Sequence, residues 1–327
     1  MKKLLLSTLL LVGFSSFAHA QITFEGKDGP GKGKHVVLLA GDEEYRSEEA
    51  LPMLAKLLAE HHGFTTTVLF SVNESGEVDP NKGSSLTAPE NLDNADLVIM
   101  SLRFRHWPDE AMKHFDDYLK AGKPIIALRT STHAFNITDK TSAFHYYTWN
   151  TKAEPWPGGF GKHVLGETWV AHHGAHKKEA TRGIIPDTAK TNPLLNGVSD
   201  IFGTTDVYTA APPADATILV LGQVLAGMNP TDAPVEGQKN DPLQPIAWTR
   251  EFKNDAGTTN QIFTTTMGAA TDLTNEGLRR LIVNAVLSFT GIEVPSKANV
   301  DVPDTYQPTM YGFDSFIKGR KPADYAK

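Results

Sequence analysis

His35-Val-Val-Leu-Leu-Ala40, closed by Gly41-Asp42, is the stretch that decides the class of fold. An unbroken apolar run of this length suits a strand buried on both faces, and such strands belong to sheets covered by helices on each side. Downstream, Ser47 to His62 places Leu51, Leu54, Ala55 and Leu58 at helical spacing, with Gly63 as its stop. Pro52 fits poorly in a helix interior, so the helix is expected to begin close to it. Thr65 to Phe70 is β-branched and reads as a second strand, and Leu97 to Ser101 as a third. Pro108 to Ala121 reads as a helix with proline at its start and Gly122 at its end, and Pro124 to Leu128 as a fourth strand. The order β-α-β-β-α-β, with apolar strands and amphipathic helices, predicts an α/β fold with a mostly parallel sheet covered on both faces. Further strands are expected at Ile218–Leu221, Pro245–Arg250 and Gln261–Thr266, and a helix over Leu273–Thr290 stopped by Gly291.

The periphery reads differently. Lys2 and Lys3, an apolar run from Leu4 to Phe17 and Ala18-His19-Ala20 have the three-part layout of a cleaved signal peptide over 1–20, which implies a periplasmic or secreted chain. Residues 21–33 read as a polar leader, 34–293 as one α/β domain and 294–327 as a proline-containing C-terminal surface extension. Ala134 to Gly166 is expected to form a long surface excursion, with Tyr146, Tyr147, Trp149 and Trp156 favouring order.

Composition sets outer bounds on function. The charge of −7 becomes −9 once Lys2 and Lys3 are removed, which disfavours nucleic acid and anionic membrane as partners. No membrane insertion is expected after cleavage; a homo-oligomer is left open. The chain has no cysteine, so thiol catalysis, thiolate metal sites and iron–sulfur clusters are excluded.

In open parallel sheets ligands bind beyond the carboxyl ends of the strands, which directs attention to the following loops. After the first strand, Asp42 and Tyr45 are candidate ligand contacts, the blander reading being a helix-entry loop. After the third, Arg103 and Arg105 with interleaved aromatics suit a sugar or carboxylate. After the fourth comes Arg129-Thr-Ser-Thr-His133. Ser131 lacks the flanking glycines of a hydrolase elbow, so His133 is the better acid/base candidate. His172-His173-Gly-Ala-His176 is the densest cluster. His173 and His176, at i and i+3, could exchange protons or ligate a divalent metal such as zinc, although a histidine cluster can also be plain surface. Asp206, Tyr208, Trp248 and Gly268 to Asp272 lie near later strand ends, and Trp248 favours a structural role.

Three of these segments together resemble the ThuA-like (trehalose-utilisation-like) family: Val37-Leu-Leu-Ala-Gly-Asp-Glu-Glu-Tyr45, Arg103-Phe-Arg105, and Gly122 through Arg129-Thr-Ser-Thr-His133-Ala-Phe. The close from Phe263 to Leu273 fits as well, and the match covers Lys34 to Glu293. The resemblance implies a three-layer αβα fold with a mostly parallel sheet, a flavodoxin-like or class I glutamine-amidotransferase-like scaffold. The elbow that carries a cysteine in that superfamily is here Arg129 to His133, so Cys-dependent amidotransfer is excluded. It also implies a small-molecule carbohydrate substrate, a glycoside or an oxidised 3-keto sugar. On that expectation the chain is a sugar-directed lyase, isomerase or hydrolase in which His133, His173 and His176 move protons. Arg103, Arg105, Arg129, Asp42, Tyr45, Asp206 and Tyr208 would hold the substrate. The alternatives are a non-catalytic sugar-binding protein and a metal-dependent hydrolase built on the His172–His176 cluster.

Overall fold

A strand buried on both faces sends alternate side chains into two separate cores, and the His35–Gly41 run does so. A computed structural model describes residues 21–302 and 306–326; the expected signal peptide lies outside them. The strands are β1 (Gln21–Phe24), β2 (His35–Gly41), β3 (Thr65–Phe70), β4 (Leu97–Leu102), β5 (Ile125–Leu128), β6 (Thr181–Ile184), β7 (Phe202–Gly203), β8 (Thr217–Val224), β9 (Gln244–Lys253) and β10 (Thr259–Thr265). Among the described residues three α-helices accompany them: α1 (Ser47–His62), α2 (Asp109–Lys120) and α3 (Glu276–Phe289).

Val36 and Leu38 of β2 point into a core with Leu51, Leu54 and Leu58 of α1 and Leu278 and Ile282 of α3. Val37 and Leu39 point the other way, against Met112, Phe115 and Leu119 of α2. The stretch expected as a surface excursion completes this second core: Tyr147, Phe160, Val164 and Leu165 are fully buried. An α/β layer arrangement with helices on both faces is therefore present.

The mostly parallel sheet is corrected. One sheet holds all ten strands in the order β1-β3-β2-β4-β5-β10-β9-β8-β6-β7. Only the central block β3-β2-β4-β5-β10 is parallel. Every pairing outside it is antiparallel. The sequence carries βα alternation only through β5. After Gly166 the strands follow one another without crossover helices, and short connections join antiparallel neighbours. Gln21–Phe24, in the stretch read as a leader, is the edge strand on β3.

Two helix starts also differ from expectation. The α1 helix begins at Ser47, and Pro52 lies inside it. Its start is set by the loop before it, where Arg46 is left-handed at φ 58° and the Asp42 amide donates to Ser47 Oγ at 3.0 Å. The α3 helix starts later than Leu273 because the Asn275 side chain caps it, accepting from the Leu278 amide. Glycines at positive φ, Gly63 and Gly122, end α1 and the turn after α2.

The expected surface tail folds back. Val300 and Tyr311 are buried, and Tyr311 Oη donates to the Thr204 carbonyl at 2.9 Å. Among the described residues no helix is long and apolar enough to cross a membrane.

Candidate active site

The parallel block reverses direction between β2 and β4, since β3 lies on one side of β2 and β4 and β5 on the other. Loops leaving β2, β4, β5 and β10 therefore meet over one end of the sheet, where Thr130 bonds Asp42 and the Arg129 amide bonds Met267 O. Three non-glycine residues there take left-handed backbone: Arg46 at φ 58°, Phe104 at φ 51° and Arg129 at φ 43°. Such conformations cost of the order of 1–3 kcal/mol and persist where surrounding contacts enforce them.

For Arg129 those contacts engage both terminal guanidinium nitrogens, while its buried Nε has no partner. Its amide donates to Met267 O, and its guanidinium donates to the carbonyls of Asp206 and Thr266, both at 2.7 Å, and to Asp206 Oδ1 at 2.9 Å. Tyr208 and Tyr45 flank it, with ring centroids 3.7 and 4.7 Å from Cζ. A cation held between aromatic faces away from water gains up to about 2 kcal/mol. Arg105 is equally enclosed, donating to Glu43 Oε2 at 2.7 Å and to the Pro80 and Arg103 carbonyls. Of the three arginines expected to hold sugar hydroxyls, these two use their donors within the protein. Arg103 retains 20% exposure, is paired with Glu43, and lies against the rings of Phe104 and Phe313.

Asp42 is likewise internal. Oδ1 accepts from the amides of Glu44 and Tyr45, and Oδ2 accepts from Thr130 Oγ1, tying the β2 loop to the β5 loop. Ser131 Oγ donates to Met100 O and accepts from the Leu102 amide, so it is a brace between strands. Trp248 is buried with Nε1 donating to Leu165 O, a structural placement. Asp272 accepts from Gly268, Ala269 and Thr205 amides, and so fixes the β10 loop beside the segment carrying Asp206.

The histidine cluster divides. Ala171 to Gly174 runs antiparallel to Val207–Thr209, with His172 bridged to Tyr208. Alternation places His172 on the side of Asp206 and Tyr208, and turns His173 away. His172 Nδ1 lies 2.6 Å from Asp206 Oδ2, whereas His173 Nε2 bonds the Lys239 carbonyl at 2.7 Å. The turn through left-handed Lys177 returns His176, whose Nδ1 is 3.2 Å from Asp206 Oδ1 and whose Nε2 is 3.2 Å from Glu44 Oε1. The structure thus brings His176, Asp206 and Arg129 together and leaves His173 outside. His172 and Glu44, which sequence reasoning did not place in the site, join them. The i, i+2 spacing of Asp206 and Tyr208 was the available signal for a shared face, but nothing local says which histidine opposes it.

His133 lies 5.0 Å from Phe104, 5.8 Å from Trp169 and 6.4 Å from Trp149, centroid to centroid. Trp169 also contacts His172 at 5.8 Å, so one indole joins the two imidazoles. Burial, then the charges of Arg103 and Arg129, hold His133 well below the usual imidazole value, so it is neutral at pH 7. Burial raises the Glu44 carboxyl to about 7, and the nearby Asp42 charge adds to this. Burial alone would raise Asp206 too, but Arg129 and the His172 bond outweigh it and hold the carboxyl at about 2.

No family model matches this chain, and no curated protein matches it. Among solved structures, the chain is similar to a protein named as thua-like from Parabacteroides merdae ATCC 43184. The TM-score is 0.49 at 14% identity, over 86% of this chain and 97% of that one. A second protein named as thua-like, from Bacteroides uniformis ATCC 8492, gives a TM-score of 0.48 at 14% identity, over 80% and 93% of the two chains. The glutaminase domain of Trypanosoma brucei CTPS gives 0.37 at 8% identity, over 81% and 98%.

Proposed function

We propose that this chain is an exported carbohydrate-processing enzyme of the ThuA-like kind, acting on a glycoside or an oxidised keto sugar by moving a proton beside a carbonyl. The observation that carries the reading is the His172–Asp206 pair, with Nδ1 2.6 Å from Oδ2. Asp206 is fully buried and fixed by Arg129, while the His172 side chain is 39% exposed. A buried carboxylate on Nδ1 sets the tautomer and orientation of the ring, and Nε2 is then the atom that exchanges a proton with substrate.

A carbon next to a carbonyl is acidic enough for an imidazole to deprotonate. The C–H bond breaks, its electron pair forms a C=C bond, and the carbonyl oxygen takes up the charge. When that charge returns, the group on the neighbouring carbon leaves with its bonding pair and accepts the proton from His172. Arg103, a cation with exposed surface, acts on Glu44 and His133 and is positioned to stabilise that charge. Trp149 and Trp169, 6.1 Å apart, offer aromatic faces to the apolar side of a pyranose. An ordinary glycosidase needs two facing free carboxyls. Here Asp42 and Asp206 are enclosed and Glu43 is held by two arginines, which favours proton abstraction.

The test is to incubate the mature chain with a 3-keto glycoside and with the unmodified sugar, reading products by mass spectrometry. Turnover of the keto sugar is expected, falling about 10²–10⁴-fold in His172→Ala with the unfolding transition unchanged. Binding of both sugars without turnover of either would make this a sugar-binding protein.

A further inference from the structure

His172, His176 and Asp206 each present one ligand atom within 4.8 Å of the other two. We infer that these three side chains bind a single divalent cation of the first transition row, for which zinc is the probe. Both imidazoles turn Nδ1 toward the carboxylate, at 2.6 Å from Oδ2 for His172 and 3.2 Å from Oδ1 for His176. Metal–ligand bonds of about 2.0–2.1 Å in a tetrahedron place neighbouring ligand atoms about 3.3 Å apart. His176 and Asp206 already have this spacing. The two imidazoles face different oxygens of Asp206, so the carboxylate has to straddle the cation, and His172, at 2.6 Å from Oδ2, has to move outward, for which its partly exposed side chain leaves room.

Two nitrogens and one carboxylate suit zinc, cobalt or manganese better than calcium or magnesium, which favour oxygen alone. The outer contacts are those of ligands held for a metal. His176 turns its other nitrogen to a carboxylate oxygen of Glu44 at 3.2 Å, and Arg129 donates to Asp206 Oδ1 at 2.9 Å. Because Arg129 shares Asp206, the cation is held less tightly than in a four-ligand structural site. Three protein ligands leave a position open for water or for a carbonyl or hydroxyl oxygen of a substrate. Loading occupies Nδ1 of His172 and fixes its proton on Nε2, so the loaded ring is a donor and His172 acts as a base only in the metal-free chain.

The experiment uses the full mature chain, stripped with chelator and titrated with zinc against a chromogenic chelator, and separately with cobalt followed by its visible absorption. One equivalent of zinc and a cobalt band of low-coordinate type are expected. His172→Ala and His176→Ala should each weaken zinc by at least about tenfold, and His173→Ala should leave it unchanged. Thermal unfolding establishes that each variant is folded. Absence of stoichiometric zinc on the folded wild type overturns the inference, as does affinity that survives both His172→Ala and His176→Ala. The inference goes beyond the carbohydrate reading, and the titration contains no sugar, so the two can fail independently.

Discussion

Asp206 joins a buried cation to two histidines, and that position predicts the effect of removing its charge. Arg129 and Asp206 have no exposed side-chain surface. Asp206→Asn leaves a guanidinium enclosed with its counter-charge gone, a change that costs about 3–5 kcal/mol in buried pairs. Urea unfolding of Asp206→Asn should show that loss, and a midpoint shift worth under 1 kcal/mol would mean that the tyrosine faces and main-chain carbonyls suffice for Arg129. The residue types of this site were legible in the sequence: Arg129 and His133 follow a strand, Asp206 and Tyr208 lie near a later strand end, and His176 stands in the histidine cluster. Their roles were not legible. Whether an arginine faces a ligand or is saturated by carbonyls depends on Met267, Thr266 and Asp206, which come from segments far along the chain.

At the scale of elements, the elbow Arg129–His133 is held from outside as well as by its own backbone. A turn of π-helix at Gly161–Leu165 packs on it, and a Cβ built on Gly161 would sit 1.9 Å from the Thr132 carbonyl oxygen. Gly161→Ala must push the two segments apart. A loss of about 1–3 kcal/mol is expected from such overpacking, together with reduced keto-sugar turnover as His133 and Trp169 shift. Equal turnover and unfolding midpoint in Gly161→Ala would show that the elbow does not depend on this contact. The Ala134–Gly166 stretch looked like an excursion because it lacks helical or strand periodicity. Its aromatics are nonetheless core: Phe115 of α2 meets Phe135, Tyr147 and Phe160 with ring centroids 5.3–6.4 Å apart. Irregular backbone hides burial from any periodicity argument.

For the whole molecule, stability is tied to acid through histidines that folding keeps neutral. His62, at the end of α1, bonds the Asn299 carbonyl through Nε2 at 2.7 Å, and burial lowers its value below the usual 6.5. The folded value is depressed, so the unfolded chain binds the proton first. This contribution is present above pH 6.5 and is lost as the pH falls below it. The unfolding midpoint should therefore drop between pH 7.5 and 5.5, with a shallower slope in His62→Gln; an unchanged slope would remove His62 from the effect. The same bond pins the C-terminal extension to α1, and the extension in turn carries Tyr311 to within 5.1 Å of Tyr45 and 5.6 Å of His176. The tail is thus part of the wall behind the site.

What the sequence determined by itself is the central αβα block and the residue chemistry at its strand ends. Continuous apolar strands, helical spacing and glycine stops are local signals, and each is set within about fifteen residues. The missing cysteine excluded thiol catalysis in the same direct way. Only the tertiary structure decided the antiparallel half of the sheet and the choice of His172 over His173. It likewise decided which arginines are enclosed. Each of these depends on register between distant segments, and a one-residue change in register turns every side chain to the opposite face.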